Sequence, residues 1–417
     1  MNSLLDALPP RIQARLDALA AISADANAIT RLYLTPEQAR ANALVMGWMR
    51  EAGMTARVDA AGNVIGRIEG EIPGAPALVI GSHLDTVRDA GRYDGPLGVV
   101  VGIACVEVLV RERARLPFAV EVVGFADEEG TRFNATLIGS RAFAGTFDHD
   151  KLDCQDRDGV TIAEALRAAG LDPARFHEAA RSPAGIIAYL ELHIEQGPAL
   201  ERADLPVGLV TAISGATRLA VTVEGVAGHA GTVAMEGRRD ALAGAAACIL
   251  AVEARCRGEA GLVGTVGSLD AAPGATNVIP GRVGFSLDLR APDDAQRQAA
   301  LADIEAAWRT IAAMRGLGLT WRAVHDAPSV PCDPVLAERI AGAIAAEGHP
   351  VFRLPSGAGH DGMAVVALAP VAMIFVRCRG GISHNPAEFA SLDDIEAGTR
   401  VLLRTLRDLA AEGTPGE

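Results

Sequence analysis

Residues 77–86 read Ala-Leu-Val-Ile-Gly-Ser-His-Leu-Asp-Thr. A half-exposed strand would alternate apolar and polar positions, whereas Ala77–Ser82 is a continuous apolar run, which predicts a strand buried on both faces. Beyond the turn Asp94-Gly95-Pro96, where proline suits a first helical turn, Leu97–Arg113 reads as a helix. Phe118–Ala126 is a second buried strand and Ile186–His193 a third. Strands alternating with helices at this spacing predict a largely parallel sheet covered on both faces. In such sheets sites collect at the C-terminal ends of the strands. The polar residues fall there: His83 and Asp85 after the first strand, Glu128 and Glu129 after the second, His193 at the end of the third.

From about Ala212 the pattern changes. Arg218–Val226 alternates as a half-buried strand, Arg239–Arg255 is an Ala-rich helix, and Gly264–Asp270 and Arg282–Arg290 read as two strands joined by a Pro/Gly/Asn-rich connection. A second helix over Asp294–Met314 and a short strand near Leu319–Val324 complete a βαββαβ order. The first pattern then resumes with a helix near Pro334–Glu347, strands near Val351–Leu354 and at Val371–Val376, and a closing helix after Ser391. The expected fold is therefore α/β, a mixed and largely parallel sheet sandwiched by helices, with an inserted α+β domain. The expected boundaries are 1–211 and 328–417 for the main domain and 212–327 for the insertion.

A chain of 417 residues is comfortable for two domains. A net charge of −14 argues against nucleic acid or an anionic membrane as partner, since both require basic patches. The first twenty residues are amphipathic without an apolar signal core, and the longest apolar stretch, Leu97 to Val110, is interrupted by Glu107. Cys105, Cys154, Cys248, Cys256, Cys332 and Cys378 are scattered without a CxxC pair, as expected of reduced thiols in a cytoplasmic protein.

Asp127-Glu128-Glu129 directly after an apolar strand is costly through mutual repulsion unless cations neutralise it. Asp94 in its Tyr-Asp-Gly turn and His384 in Gly-Gly-Ile-Ser-His-Asn-Pro fall at the same sheet edge. Mixed His and carboxylate ligands suit zinc, manganese or cobalt, and the absence of Cys argues against a purely structural zinc site. The runs SHLDT, YDG, DEEG, ELHIEQGPALE, GHAGT, ATNVIPG, SGAGHD and GISHNPAE, in that order and over nearly the whole chain, resemble the metal-dependent hydantoinase/carbamoylase amidase family.

That resemblance implies two divalent ions per subunit, zinc or manganese with cobalt also suitable. His83, Asp94 and His193 would hold one, and Glu129, His384 and the bridging Asp94 the other. Asp85 would accept the second imidazole proton of His83 and fix its tautomer. Glu128, left free beside a ligand, would be the general base toward the attacking water. Arg290 would grip a substrate carboxylate, a bidentate task suited to guanidinium, with Asn277 at the same end. Gln196 would face the site, and Ser356, Gly359 and His360 would line another wall. His229 resembles the histidine that enters a neighbouring subunit's site and polarises the scissile carbonyl. The implied assembly is a homodimer through the inserted domain, which would also act as a lid. The implied substrate is a small ureido acid, allantoate or an N-carbamoyl-L-amino acid. A same-fold aminopeptidase or deacylase is the enzymatic rival, disfavoured by His193 and the Asn277/Arg290 pair. A catalytically inactive binding homologue is the non-enzyme rival, disfavoured by the presence of Glu128 and every ligand. Gly362-Met363 and Thr232-Val233-Ala234-Met235 depart from the usual family pattern without touching a ligand.

Overall fold

The structure, a computed structural model, describes Leu5 and residues 7–412. The amphipathic reading of the N-terminal segment is seen from Leu8, where helix Leu8–Ala20 begins, while residues 1–4 and 6 lie outside the described residues. The chain forms two compact units. One comprises residues up to 211, 332–354 and from 360 onward; the other comprises 212–331 with 355–359.

The first unit is built on a sheet in the order Thr55–Val58, Val64–Ile68, Ala119–Phe125, Ala77–His83, Ile186–Ile194, Val371–Val376, Val207–Ile213. Its centre is parallel: Ala77–His83 pairs with Ala119–Phe125 on one side and Ile186–Ile194 on the other, and Ile186–Ile194 pairs with Val371–Val376. Both edges are antiparallel. The three buried strands read from sequence are found within one or two residues of their expected ends, because a run buried on both faces is apolar at every position. The short hairpin Thr55–Val58/Val64–Ile68 and the strand Val207–Ile213, which also pairs with Val330–Pro331, were not anticipated. The expected strand at Val351–Leu354 lies at Arg353–Ser356.

Helix Pro96–Glu112 is buried from Pro96 to Leu109, which explains why its apolar residues lack a helical stripe. Glu107 is held in this setting by Arg11 and Arg111, at 2.7 and 2.6 Å. No helix among the described residues is long and apolar enough to cross a membrane. The helix can approach the sheet closely only because residue 98 is glycine. A Cβ there would lie 2.3 Å from the carbonyl oxygen of Leu192 and 2.9 Å from Ser82 Cβ. This contact fixes the height at which Asp94, four residues earlier, meets the strand ends.

The second unit is an antiparallel sheet in the order Leu269–Ala272, Arg282–Ala291, Gly215–Glu224, Gly318–Ala327, with Val263–Thr265 also paired to Arg282–Ala291. Helices Ala241–Cys256 and Asp294–Arg315 pack on the face formed by Leu219, Val221, Val223, Val283, Phe285, Leu287 and Leu289, around the fully buried Trp308. The single strand expected over Gly264–Asp270 is broken in two. At the break, the Gly267 and Ser268 N–H groups donate to Ser286 Oγ at 3.2 and 3.1 Å instead of continuing the ladder.

Gly98→Ala is expected to cost about 1–3 kcal/mol of stability by forcing the helix off the sheet, and to weaken metal binding because Asp94 moves with it. The control is Gly47→Ala in helix Pro36–Glu51, where an added Cβ meets nothing within 4 Å. That change should be neutral or stabilising by up to about 1 kcal/mol. Urea unfolding with metal analysis of the native protein measures both effects.

Candidate metal centre

Strand ends bring His83 and His193 together, with their rings stacked at a centroid distance of 5.8 Å. Each ring is fixed by its Nδ1, which donates to the carbonyl oxygen of Asp85 at 3.1 Å in one case and of Ile194 at 2.9 Å in the other. Nε2 is therefore the lone-pair nitrogen of both, and both face Asp94 Oδ1, at 3.3 and 3.2 Å. The other carboxylate oxygen, Asp94 Oδ2, lies 3.3 Å from His384 Nε2, which is also 3.3 Å from Glu129 Oε1. Gly95 is left-handed (φ 81°), and a Cβ there would fall 2.5 Å from the His83 ring, so the turn that presents Asp94 requires glycine.

Four candidate ligand groups with donor atoms within 4.8 Å of one another result among the described residues: His83/Asp94/His193 and Asp94/Glu129/His384, which share Asp94, and His83/Glu128/Glu129 and Glu191/His193/His360. Lone pairs converging at this spacing repel unless something positive lies among them. Ligands about 2.0–2.1 Å from a tetrahedral ion stand about 3.3 Å apart, so the spacing fits a divalent cation. Without one, protons take its place. His384 is pushed up to about 10 by Asp94 and Glu129, and Asp94 stays well below the carboxylate range despite burial because His193, His384 and His83 hydrogen-bond to it. The donors are all nitrogen and oxygen, and the residues fit a divalent metal site.

Glu128 stands beside His83 and Glu129. Burial pushes its carboxyl well above the usual range, while His83 pulls it down and Glu129, Asp361 and Asp85 push it further up. Asp85 stands beside His83 and serves the neighbouring turn as well. Its carboxylate is 3.6 Å from His83 Nδ1, and the Asp85 carbonyl takes that hydrogen bond instead. The carboxylate accepts from the N–H groups of Glu128 (3.0 Å) and Glu129 (3.2 Å), because the left-handed Asp127 (φ 56°) turns both amides toward it. Gln196 Nε2 donates to Asp94 Oδ2 at 2.7 Å, from a left-handed backbone, as His384 is also left-handed. His360 packs edge-on against His193 at 4.6 Å, and burial, with His193 beside it, holds its pKa well below the usual histidine value.

The remaining expected residues belong to the second unit. His229 lies in the short strand Gly228–His229, paired with Val278–Ile279, and the Ala230 N–H donates to the Asn277 carbonyl at 2.9 Å. His229 and Asn277 are thus neighbours. Arg290 is elsewhere: it forks onto Asp288 at 2.8 and 3.0 Å and donates to the Gly357 carbonyl at 2.8 Å. Asn277 lies in the connection that enters strand Arg282–Ala291, and Arg290 is near that strand's far end. The strand from Arg282 to Arg290 covers eight residues, about 26 Å at roughly 3.3 Å each, so Asn277, which precedes it, and Arg290 stand toward its opposite ends. Within one chain the two are therefore not neighbours at one end of that strand. Ser356 Oγ closes its own loop on Ala358 (3.0 Å to the carbonyl oxygen), and Gly359 completes that segment.

Residues the sequence reading passed over complete the site. Glu388 Oε1 accepts from the Tyr93 and Asp94 N–H groups at 2.7 and 3.1 Å, and its Oε2 accepts from Ser383 Oγ at 2.9 Å. Ser383 Oγ also lies 2.6 Å from Asp94 Oδ2. Burial, then the charge of Asp94, pushes Glu388 up to about 7. Behind His193, buried Glu191 accepts from Ser82 Oγ, Tyr189 OH and the Gly362 N–H. Strand alternation could have revealed Glu191, since it lies two residues before His193 and shares its face. Glu388 stood in a quoted motif, but its clamp joins residues almost 300 positions apart.

Glu388→Gln should leave the fold intact and lower metal affinity by about 10–100-fold, because an amide cannot accept from both N–H groups and the serine at once. Competition with a chromophoric chelator measures it; unchanged affinity would show that Asp94 is held without the clamp.

Residues 79–408 match the model of peptidase family M20/M25/M40. The chain is 45% identical over 382 residues to the N-carbamoyl-L-amino acid amidohydrolase of Geobacillus stearothermophilus, covering 92% of this chain and 93% of that one. It is 40% identical over 424 residues to the allantoate deiminase of Arabidopsis thaliana, covering 94% and 81%. The solved hydantoinase/carbamoylase family amidase of Burkholderia multivorans superposes with a TM-score of 0.90 at 36% identity, covering 97% of this chain and 98% of that one. The chain belongs to peptidase family M20/M25/M40, alongside its hydantoinase/carbamoylase amidases.

Proposed function

We propose that this protein is a metal-dependent amidohydrolase that cleaves the ureido C–N bond of a small ureido carboxylic acid, allantoate or an N-carbamoyl-L-amino acid. The observation that carries the reading is the convergence of three imidazole nitrogens and Glu129 on the two oxygens of Asp94. The similarity to enzymes named for N-carbamoyl amino acids and allantoate supports the substrate class. His83, Asp94 and His193 would hold one zinc or manganese ion, and Asp94, Glu129 and His384 the other. When bound, such ions polarise the scissile carbonyl and lower the pKa of the attacking water.

The chain's own residues supply the rest. Glu128, close to the ligands but outside both groups that share Asp94, takes the proton of the attacking water and delivers it to the leaving nitrogen. Asp85 holds the turn that aims Glu128 and Glu129. Arg290, pre-oriented by Asp288 and Gly357, receives the substrate carboxylate. His229 polarises the carbonyl oxygen, and Asn277, its neighbour, acts with it from a second subunit of a homodimer formed through the inserted unit. Gln196 and His360 shape the site as hydrogen-bonding and apolar walls. The six free cysteines fit a reducing, cytoplasmic setting.

Removing metal with a chelator should abolish ureido-acid hydrolysis, and manganese or zinc should restore it. Glu128→Gln should keep its metal yet turn over at least about 100-fold more slowly. Full activity in protein shown metal-free by elemental analysis would refute the proposal, and loss of metal from Glu128→Gln would make that residue a ligand.

The role of His229 is tested by mixed dimers. A subunit carrying His229→Ala paired with one carrying Glu128→Gln should regain about half of wild-type activity, since one composite site is whole. No recovery would place His229 in its own subunit's site or outside catalysis.

A further inference from the structure

In the second unit the odd-numbered residues of strands Gly215–Glu224 and Arg282–Ala291 are buried under the helices, and the even-numbered ones point the other way. On that second face Ala220, Gly284 and Ser286 are small. A cavity of about 570 Å³ opens over Ser286, with Arg218, Asp288, Arg290, Val263 and Val324 in its walls. Its size suits a small-molecule site.

Arg218 stands directly across the ladder from Asp288, with Arg290 two residues further along. That places the two arginines as diagonal neighbours on one face, within joint reach of one small ligand. Arg290 is fully engaged on one edge: Nε and Nη2 on Asp288 and Nη1 on the Gly357 carbonyl. Arg218 uses only Nε, at 2.9 Å from Asp288 Oδ2; its two Nη groups make no hydrogen bond among the described residues. Asp288 lies below its usual pKa although burial opposes this, because Arg290 and then Arg218 hydrogen-bond to it. Two guanidinium groups and one carboxylate leave one net positive charge in the cavity.

We propose that Arg218 is a specificity-determining residue. While Arg290 meets the α-carboxylate of the ureido acid, the Nη groups of Arg218 donate to an acceptor oxygen on its side arm, and Val263 and Val324 contact the carbons between. The enzyme therefore favours ureido acids whose side arm carries a carboxylate or a ureido carbonyl over those with an apolar arm. This rests on the reading of function given above.

The test compares wild type with Arg218→Leu on four acids: allantoate (ureido arm), N-carbamoyl-L-aspartate (carboxylate arm), N-carbamoyl-L-valine and N-carbamoyl-L-methionine (apolar arms). kcat/KM is measured on the metal-loaded enzyme, and Kd by calorimetry on metal-stripped protein. Wild type should prefer at least one acceptor-bearing acid, and Arg218→Leu should reduce the ratio of acceptor-bearing to apolar kcat/KM by about tenfold or more. Which of the two acceptor acids loses most identifies the arm. Arg218→Lys should retain preference for a carboxylate arm better than for a ureido arm, since lysine keeps charge without the fork. An equal loss on all four acids would mean that Arg218 merely steadies Asp288 and Arg290, and would overturn the proposal, as would an unchanged ratio or a wild type that prefers apolar arms. Arg218-dependent selectivity in binding without hydrolysis of any acid would instead sustain the pocket and refute the hydrolase reading.

Discussion

The lone pairs that meet at Asp94 demand positive charge, and much of the first unit is arranged around that demand. His83 and His193 are both held by Nδ1–H···O=C bonds, so their Nε2 atoms have no proton to offer the carboxylate when neutral. Asp94 Oδ1 therefore faces two acceptor nitrogens. Protons relieve this by raising His384 and His193 above their usual values, and a divalent cation relieves it with the right spacing. Every neighbouring device keeps the carboxylate there: glycine at 95 to make the turn, glycine at 98 to let the helix close on the sheet, Glu388 on the backbone, and Ser383 and Gln196 on Oδ2. Asp94 also stands two residues before helix Pro96–Glu112, whose N-terminal dipole favours a negative charge.

The acidic groups crowd further than the ligands require. Asp127, Glu191 and Asp361 are buried behind them, each raised by burial, with the carboxylate charges around Asp127 and Asp361 adding to the shift. A fold that tolerates so many carboxylates at the ends of parallel strands has few ways to be stable unless several are protonated or neutralised. The cluster is thus a physical statement about cations as much as about catalysis. The left-handed backbones of Asp127, Gln196 and His384, each non-glycine, lie in the same region and show that the local geometry is imposed by its surroundings.

What the sequence made legible follows from range. Buried central strands announce themselves through unbroken apolar runs, and the residues just past their ends were found because parallel sheets bring those ends together. The edges were not legible, since Thr55–Val58 is largely exposed and short. The break between Thr265 and Leu269 was missed because it depends on one hydroxyl of Ser286 across the sheet. Asp85 shows the same limit at the site. Its proximity to His83 in sequence suggested a carboxylate–imidazole pair; the two stand 3.6 Å apart, while the turn at Asp127 also draws on the carboxylate and the Asp85 carbonyl takes the shorter bond to the ring. Asn277 and Arg290, thirteen positions apart in sequence, looked close and are divided by the length of a strand.

The second unit solves a different problem with the simpler period of two. One face of its sheet must be apolar to bury Trp308 and the helices, and the opposite face is then free to be polar without cost to that core. Arg290 illustrates the benefit. Its guanidinium is already forked onto Asp288 and tied to Gly357, so little side-chain freedom remains to be lost when an anion arrives. Arg218, sharing the same aspartate through Nε alone, keeps its outer edge exposed and adaptable. The odd-numbered core, and with it the fold of the unit, is therefore indifferent to which side chains occupy the even-numbered positions.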